Sequence, residues 1–116
     1  MAEPIRYLIL IPLFNHGASV CAVAEKALTV HPEVVVVDDG STDGGAGTLA
    51  GLPLTVIRHE VNRGKGMAIL TGAREAKRRG MTHIATLDAD GQHDPADLPK
   101  LVEVAQREPL AVVVGK

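Results

Sequence analysis

The chain has 116 residues, the size of one domain and long enough to bury ~65% of the surface its unfolded form exposes. Apolar residues make up 46% and charged residues 22%, with a net charge of −2, which excludes a disordered tail or a strongly basic nucleic-acid binder. Aromatics are only 2%, so the core falls to Val, Ile, Leu and Ala.

The first element is the run Tyr7-Leu8-Ile9-Leu10-Ile11, ended by Pro12, which reads as a strand buried on both faces. A helix follows, because Val20, Val23, Ala24, Ala27 and Leu28 repeat as one apolar face, and Ser19 is placed to cap it. Cys21 on this helix is the chain's single cysteine, so no intrachain disulfide forms, and it reads as a structural thiol. Val34 to Val37 is a second, wholly β-branched strand, and Asp38-Asp39-Gly40-Ser41 has the chemistry of a turn that closes it. Between Thr42 and Gly51 the four glycines leave room for a short helix at most.

Leu54 to Ile57 is a third strand. Lys65 to Arg79 is a helix with Ile69, Ala73 and Ala76 on one face and Gly80 at its C′ position. Its Lys77-Arg78-Arg79 terminus offsets the helix dipole and reads as a solvated end, not a nucleic-acid patch. His83 to Leu87 is a fourth strand. A last helix opens at Asp94 or Asp97, between which the two prolines do not decide, and buries Leu98, Leu101, Val102 and Ala105. Leu110 to Val114 is a fifth strand. No stretch reaches the about 18 apolar residues needed to span a membrane and no signal peptide is visible, so a cytoplasmic location is expected.

Strands alternating with helices define an α/β fold with a mostly parallel sheet, whose ligands sit outside the carboxyl ends of the strands. That rule gathers residues 12–17, 38–43 and 88–93 on one rim, and the unusual chemistry of the chain lies there. In Asp88-Ala89-Asp90-Gly91-Gln92-His93, two carboxylates share a face after an apolar strand. With the Gln92 amide they suit Mg²⁺ or Mn²⁺, and His93 could join the latter; the alternative is an acidic loop capping the next helix. Asp38, Asp39 and Asp43 form a second acidic group, able to accept from a base N–H or a ribose hydroxyl, or else to form a solvated turn. Asn62-Arg63-Gly64-Lys65-Gly66 opens a helix with amides and two cations that could meet a phosphate. It is neither a P-loop nor a dinucleotide fingerprint, and an ordinary helix start is the competing reading. His31 reads as a loop residue and His83 as a strand start, while His16 and His59 stay open near the rim.

Ile11-Pro12-Leu13-Phe14-Asn15, the segment 37–44, the segment 62–66 and the segment 87–93 together resemble family 2 glycosyltransferases. The similarity is greatest to the bacterial branch akin to dolichyl- and polyprenyl-phosphate sugar synthases. The resemblance spans essentially the whole chain as a single domain, 1–116, and implies a Rossmann-like three-layer αβα fold of the GT-A type, truncated. It implies that Pro12, Phe14 and Asn15 line a nucleotide-sugar site and that Asp39, with Val37 and Ser41 beside it, holds the base or ribose. Arg63, Lys65, Asp88 and Ala89 complete that site, and Asp88, Asp90 and Gln92 bind the metal.

The donor implied is a UDP- or GDP-sugar and the acceptor a lipid phosphate or a saccharide, with inversion at the anomeric carbon. His16 departs from the Glu that such synthases often carry there. Family domains are substantially longer, so the acceptor half with its base is expected to be missing and the chain alone to transfer little. A site at the inner face of the membrane, and a homodimer through an open edge at the fourth strand, are also expected. A non-catalytic nucleotide-sugar-binding or assembly module of the same fold is the alternative. A nucleotidyltransferase would need a Gly-rich loop after the first strand, where Pro12-Leu13-Phe14-Asn15 stands.

Overall fold

The computed structural model describes residues 6–89 and 112–114. Its elements are β1 (Tyr7–Leu13), α1 (Gly17–Val30), β2 (Val34–Asp39), a 3-10 helix (Gly45–Leu49), β3 (Thr55–His59), α2 (Lys65–Arg78), β4 (His83–Thr86) and β5 (Val112–Val114). The expected last helix and its capping residues lie outside the described residues.

The five strands form one sheet in the order β3-β2-β1-β4-β5, and every pairing is parallel. Both faces are covered, which is why β1 and β2 are continuous apolar runs instead of alternating ones. One face of β1 and β2 (Ile9, Ile11, Leu13, Val34, Val36) packs on Val20, Val23, Ala24 and Ala27 of α1 and on Leu49 of the 3-10 helix. The other face (Leu8, Leu10, Val35, Val37) packs on Ala68 and Ala76 of α2. Small residues on both helices let them lie close to a sheet of large ones.

Several details differ from the sequence expectation. β2 runs through Asp38 and Asp39, which stay in register with Arg58 and His59 of β3. The strand continues because each carboxylate finds a partner on its neighbour, so the turn starts at Gly40. Ser19 is not the cap of α1: His16 occupies that position with no side-chain cap, and the Ser19 hydroxyl reaches the carbonyl of Ala89 beyond β4. β4 is not an open edge, since β5 pairs with it from Ile84 to Thr86; the outer strands are β3 and β5. α2 ends with Gly80 following, as expected, its N–H donating to Lys77 O. The Cys21 thiol donates to Glu25 on the same helix, and that bond to a carboxylate pushes the thiol pKa up, consistent with an unreactive cysteine.

Two glycine contacts shape the rim. Gly40 sits at φ +78°, and a Cβ there would lie 2.5 Å from Asn62 N and 2.6 Å from the Val61 carbonyl carbon. The turn after β2 is therefore pressed on the loop before α2. A Cβ on Gly17 would lie 2.7 Å from Gly45 Cα, so the start of α1 and the 3-10 helix meet backbone to backbone.

Candidate functional site

The chain steps outward from β1 to β2 to β3, then crosses back over α2 to place β4 on the other side of β1. Such a reversal leaves a crevice outside the carboxyl ends of the two diverging strands. A cavity of about 330 Å³ lies there. Pro12, Leu13, Phe14 and His16 come to it from β1, Asp39 from β2, Asn62, Lys65 and Ala68 from the loop and first turn of α2, and Asp88 and Ala89 from β4.

Of the residues picked from sequence, Pro12, Phe14, Asp39, Lys65, Asp88 and Ala89 line this cavity. The others stand behind it. Asn15, at φ +54°, donates its N–H to Ser41 Oγ at 3.0 Å and accepts from Thr42 N–H through Oδ1 at 2.9 Å. Asn15 and Ser41 therefore lace the β1 and β2 loops together. Val37 is fully buried in the α2-side core. Arg63 contributes its backbone N–H, which donates to Asp39 Oδ1 at 2.9 Å. Asp90, Gln92 and His93 lie outside the described residues. Leu13, Asn62 and Ala68 are lining residues that sequence reasoning missed, although Asn62 opens a segment already singled out.

The two carboxylates at the end of β2 serve different ends. Asp38 is wholly buried; Oδ2 pairs with Arg58 at 2.8 Å and Oδ1 accepts from Ser41 N–H at 3.0 Å. Asp39 accepts from His59 Nδ1 at 2.7 Å and from the N–H groups of Arg63 and Gly64 at 2.9 and 2.8 Å. Burial, the largest influence, pushes its carboxyl pKa up, but the hydrogen bonds from His59, Arg63 and Gly64 outweigh it and hold it below the ordinary value. Asp39 is thus an ionised carboxylate at the cavity wall. Asp43 is held low by the amides of Gly45 and Gly17, and ties the glycine contact together.

Across the cavity, Lys65 Nζ pairs with Asp88 Oδ1 at 2.8 Å, with side chains 61% and 34% exposed. The mouth therefore presents an accessible cation and an accessible anion side by side. Among the described residues, no group of three or more His, Cys, Asp or Glu side chains could hold a metal ion. Of the three residues expected to hold a metal, Asp88 is the one within the described residues, and its carboxylate pairs with the Lys65 ammonium. No described helix is long and apolar enough to cross a membrane.

A parallel sheet covered on both faces, with a charged crevice at its switch point, defines an α/β protein built to bind a ligand at its strand ends. The sequence then specifies the class further: residues 8–116 match the model of glycosyl transferase family 2, and the chain belongs to that family. It is 34% identical to the dodecaprenyl-phosphate galacturonate synthase of Rhizobium johnstonii over 97% of this chain and 37% of that protein. It is 30% identical to the UDP-N-acetylglucosamine–dolichyl-phosphate N-acetylglucosaminyltransferase of Methanococcus voltae over 99% of this chain and 53% of that one. An undecaprenyl-phosphate mannosyltransferase of Micrococcus luteus is 34% identical over 92% of this chain and 47% of its own length. The chain spans between about a third and a half of these relatives.

Proposed function

We propose that this chain is the donor-binding half of an inverting glycosyltransferase that moves a sugar from a UDP- or GDP-sugar to a polyprenyl-phosphate acceptor. The observation that carries the reading is the convergence of Asp39, Lys65, Asp88 and Phe14 on one cavity at the switch point. The lipid-phosphate acceptor is supported by the named substrates of the relatives, and a membrane-facing position follows from such an acceptor.

Asp39 accepts only, so it selects a ligand donor, a base N–H or a ribose hydroxyl. Phe14, 44% exposed at the rim, offers a face on which a base can stack. Lys65 supplies a cation for the diphosphate. Asp88, with Asp90 and Gln92 after it, would hold Mg²⁺ or Mn²⁺, which when bound offsets the charge of a diphosphate leaving group.

The test is calorimetric titration of UDP, GDP and their sugars with Mn²⁺, with Mg²⁺ and with chelator. Metal-dependent binding of one nucleotide is expected, weakened about 10- to 100-fold in Asp88→Ala and in Asp90→Ala, the loss of a charge-assisted contact. Unchanged binding in both variants rejects the metal site. Binding without transfer in the intact parent protein would favour the non-catalytic module. No binding under any condition rejects the donor reading.

A further inference from the structure

We infer that His59 is a positioning residue for donor binding: from β3 it fixes the orientation of the Asp39 carboxylate, and Thr71 on α2 holds its ring from behind. The inference rests on the proposed nucleotide site and deepens it.

His59 and Asp39 are register partners at the ends of adjacent parallel strands, so their side chains leave the sheet together. Nδ1 of His59 lies 2.7 Å from Asp39 Oδ1, and Nε2 lies 2.8 Å from Thr71 Oγ1. The imidazole side chain is only 11% exposed and that of Asp39 4%, so water does not compete freely for either contact. An ionised carboxylate can only accept, so Nδ1 must carry a proton. Nε2 faces the Thr71 hydroxyl, a group that can meet a ring nitrogen as donor or as acceptor. The direction of the His59–Asp39 bond is set by these roles: Nδ1–H donates and the carboxylate accepts.

This arrangement also says which oxygen of Asp39 meets a ligand. Oδ1 takes two donors, His59 Nδ1 and Arg63 N–H, while Oδ2 takes one, Gly64 N–H. A carboxylate oxygen has two lone pairs, so the acceptor capacity left for an incoming N–H or O–H is on Oδ2. The two amides hold the carboxylate from the segment that opens α2. His59 holds it from the neighbouring strand and is itself tied to α2 through Thr71, so it is the side-chain donor that fixes the rotation of the carboxylate. It also links the nucleotide wall to α2, whose first residue is Lys65.

The two ring nitrogens can be separated by substitution. In His59→Asn the side-chain amide falls near the place of Nδ1 and can still donate to Asp39; in His59→Gln it falls near Nε2 and cannot. Nucleotide affinity, measured with UDP or GDP and Mn²⁺, is expected to stay within about 3-fold in His59→Asn and to fall about 10-fold in His59→Gln. Thr71→Val, which leaves the His59–Asp39 contact in place, is expected to weaken affinity by a few-fold, between these two. Imidazole ¹⁵N–¹H correlation spectra of the unsubstituted chain are expected to show a proton on Nδ1 of His59.

Equal affinity in the Asn and Gln variants, or losses in all three that merely track their melting temperatures, would overturn the inference. So would the Nε2–H tautomer. A chain that binds no nucleotide rejects the donor site itself; the tautomer still decides whether His59 holds Asp39, because that reading needs no ligand.

Discussion

Asp39 has been drawn into the structure from three sides, and its substitution separates charge from shape. In Asp39→Asn an amide NH₂ would face N–H donors of His59, Arg63 or Gly64, none of which can accept as they stand. A loss of about 2–4 kcal/mol is expected by urea unfolding at neutral pH, the range for one buried charged partner removed. The pH dependence has a definite sign. The folded pKa lies below the ordinary value of 3.8, so the contribution is complete above that value and is lost as pH falls through the folded pKa. The same acid titration on Asp39→Asn should lack that part of the fall.

Sequence showed Asp38 and Asp39 to be unusual, because two carboxylates after a β-branched strand need a purpose. It offered a ligand contact or a solvated turn. The structure has Asp39 at the cavity wall and bound to backbone amides of a distant loop as well. Backbone N–H groups carry no residue letter, so that second role had no sequence signal. His59 was left open for the same reason: its meaning depends on strand register, which is fixed only when β3 is laid beside β2.

Among the described elements, α2 matches its expected span to within a residue, because its pattern repeats over several turns, while α1 starts at Gly17, ahead of the cap expected at Ser19. α1 buries the expected Val20, Val23, Ala24 and Ala27 with Leu28 partly buried, whereas in α2 Ala76 is buried with Ala68 and Gly72, and the expected Ile69 and Ala73 are only partly buried. Strand ends were read less well. β2 gains Asp38 and Asp39 because cross-strand partners override the turn chemistry of the local letters. The glycine-rich stretch resolves into a 3-10 helix placed by the contact between Gly17 and Gly45.

Gly40 is the junction most open to test. Alanine there adds a left-handed backbone penalty of about 1–2 kcal/mol to an overpacking cost of about 1–3 kcal/mol against the backbone of residues 61 and 62. Gly40→Ala should therefore lower stability by about 2–5 kcal/mol in thermal or urea unfolding. An effect below 1 kcal/mol would mean that the two loops part easily.

For the molecule as a whole, alternating signals gave the α/β class and the parallel sheet, and the rim rule then gathered the chemistry at one end. The order of the strands was not legible from periodicity. That β4 lies beside β1, and so creates the crevice, depends on where α2 crosses the sheet. The expected open edge at β4 failed because β5 covers it. Any edge pairing would fall to the outer strands of the described sheet. β3 is one of them, with Val56 40% exposed. Light scattering at rising concentration should show association that Val56→Lys reduces, since a charge on an outer strand blocks edge pairing. A monomer at every concentration would reject edge pairing.

The Lys65–Asp88 pair at the cavity mouth has a consequence for how ligands are admitted. With side chains 61% and 34% exposed, both partners keep contact with water, so opening the pair costs little, about 1 kcal/mol or less. The pair is thus a weak latch across the mouth, one that raised salt loosens further.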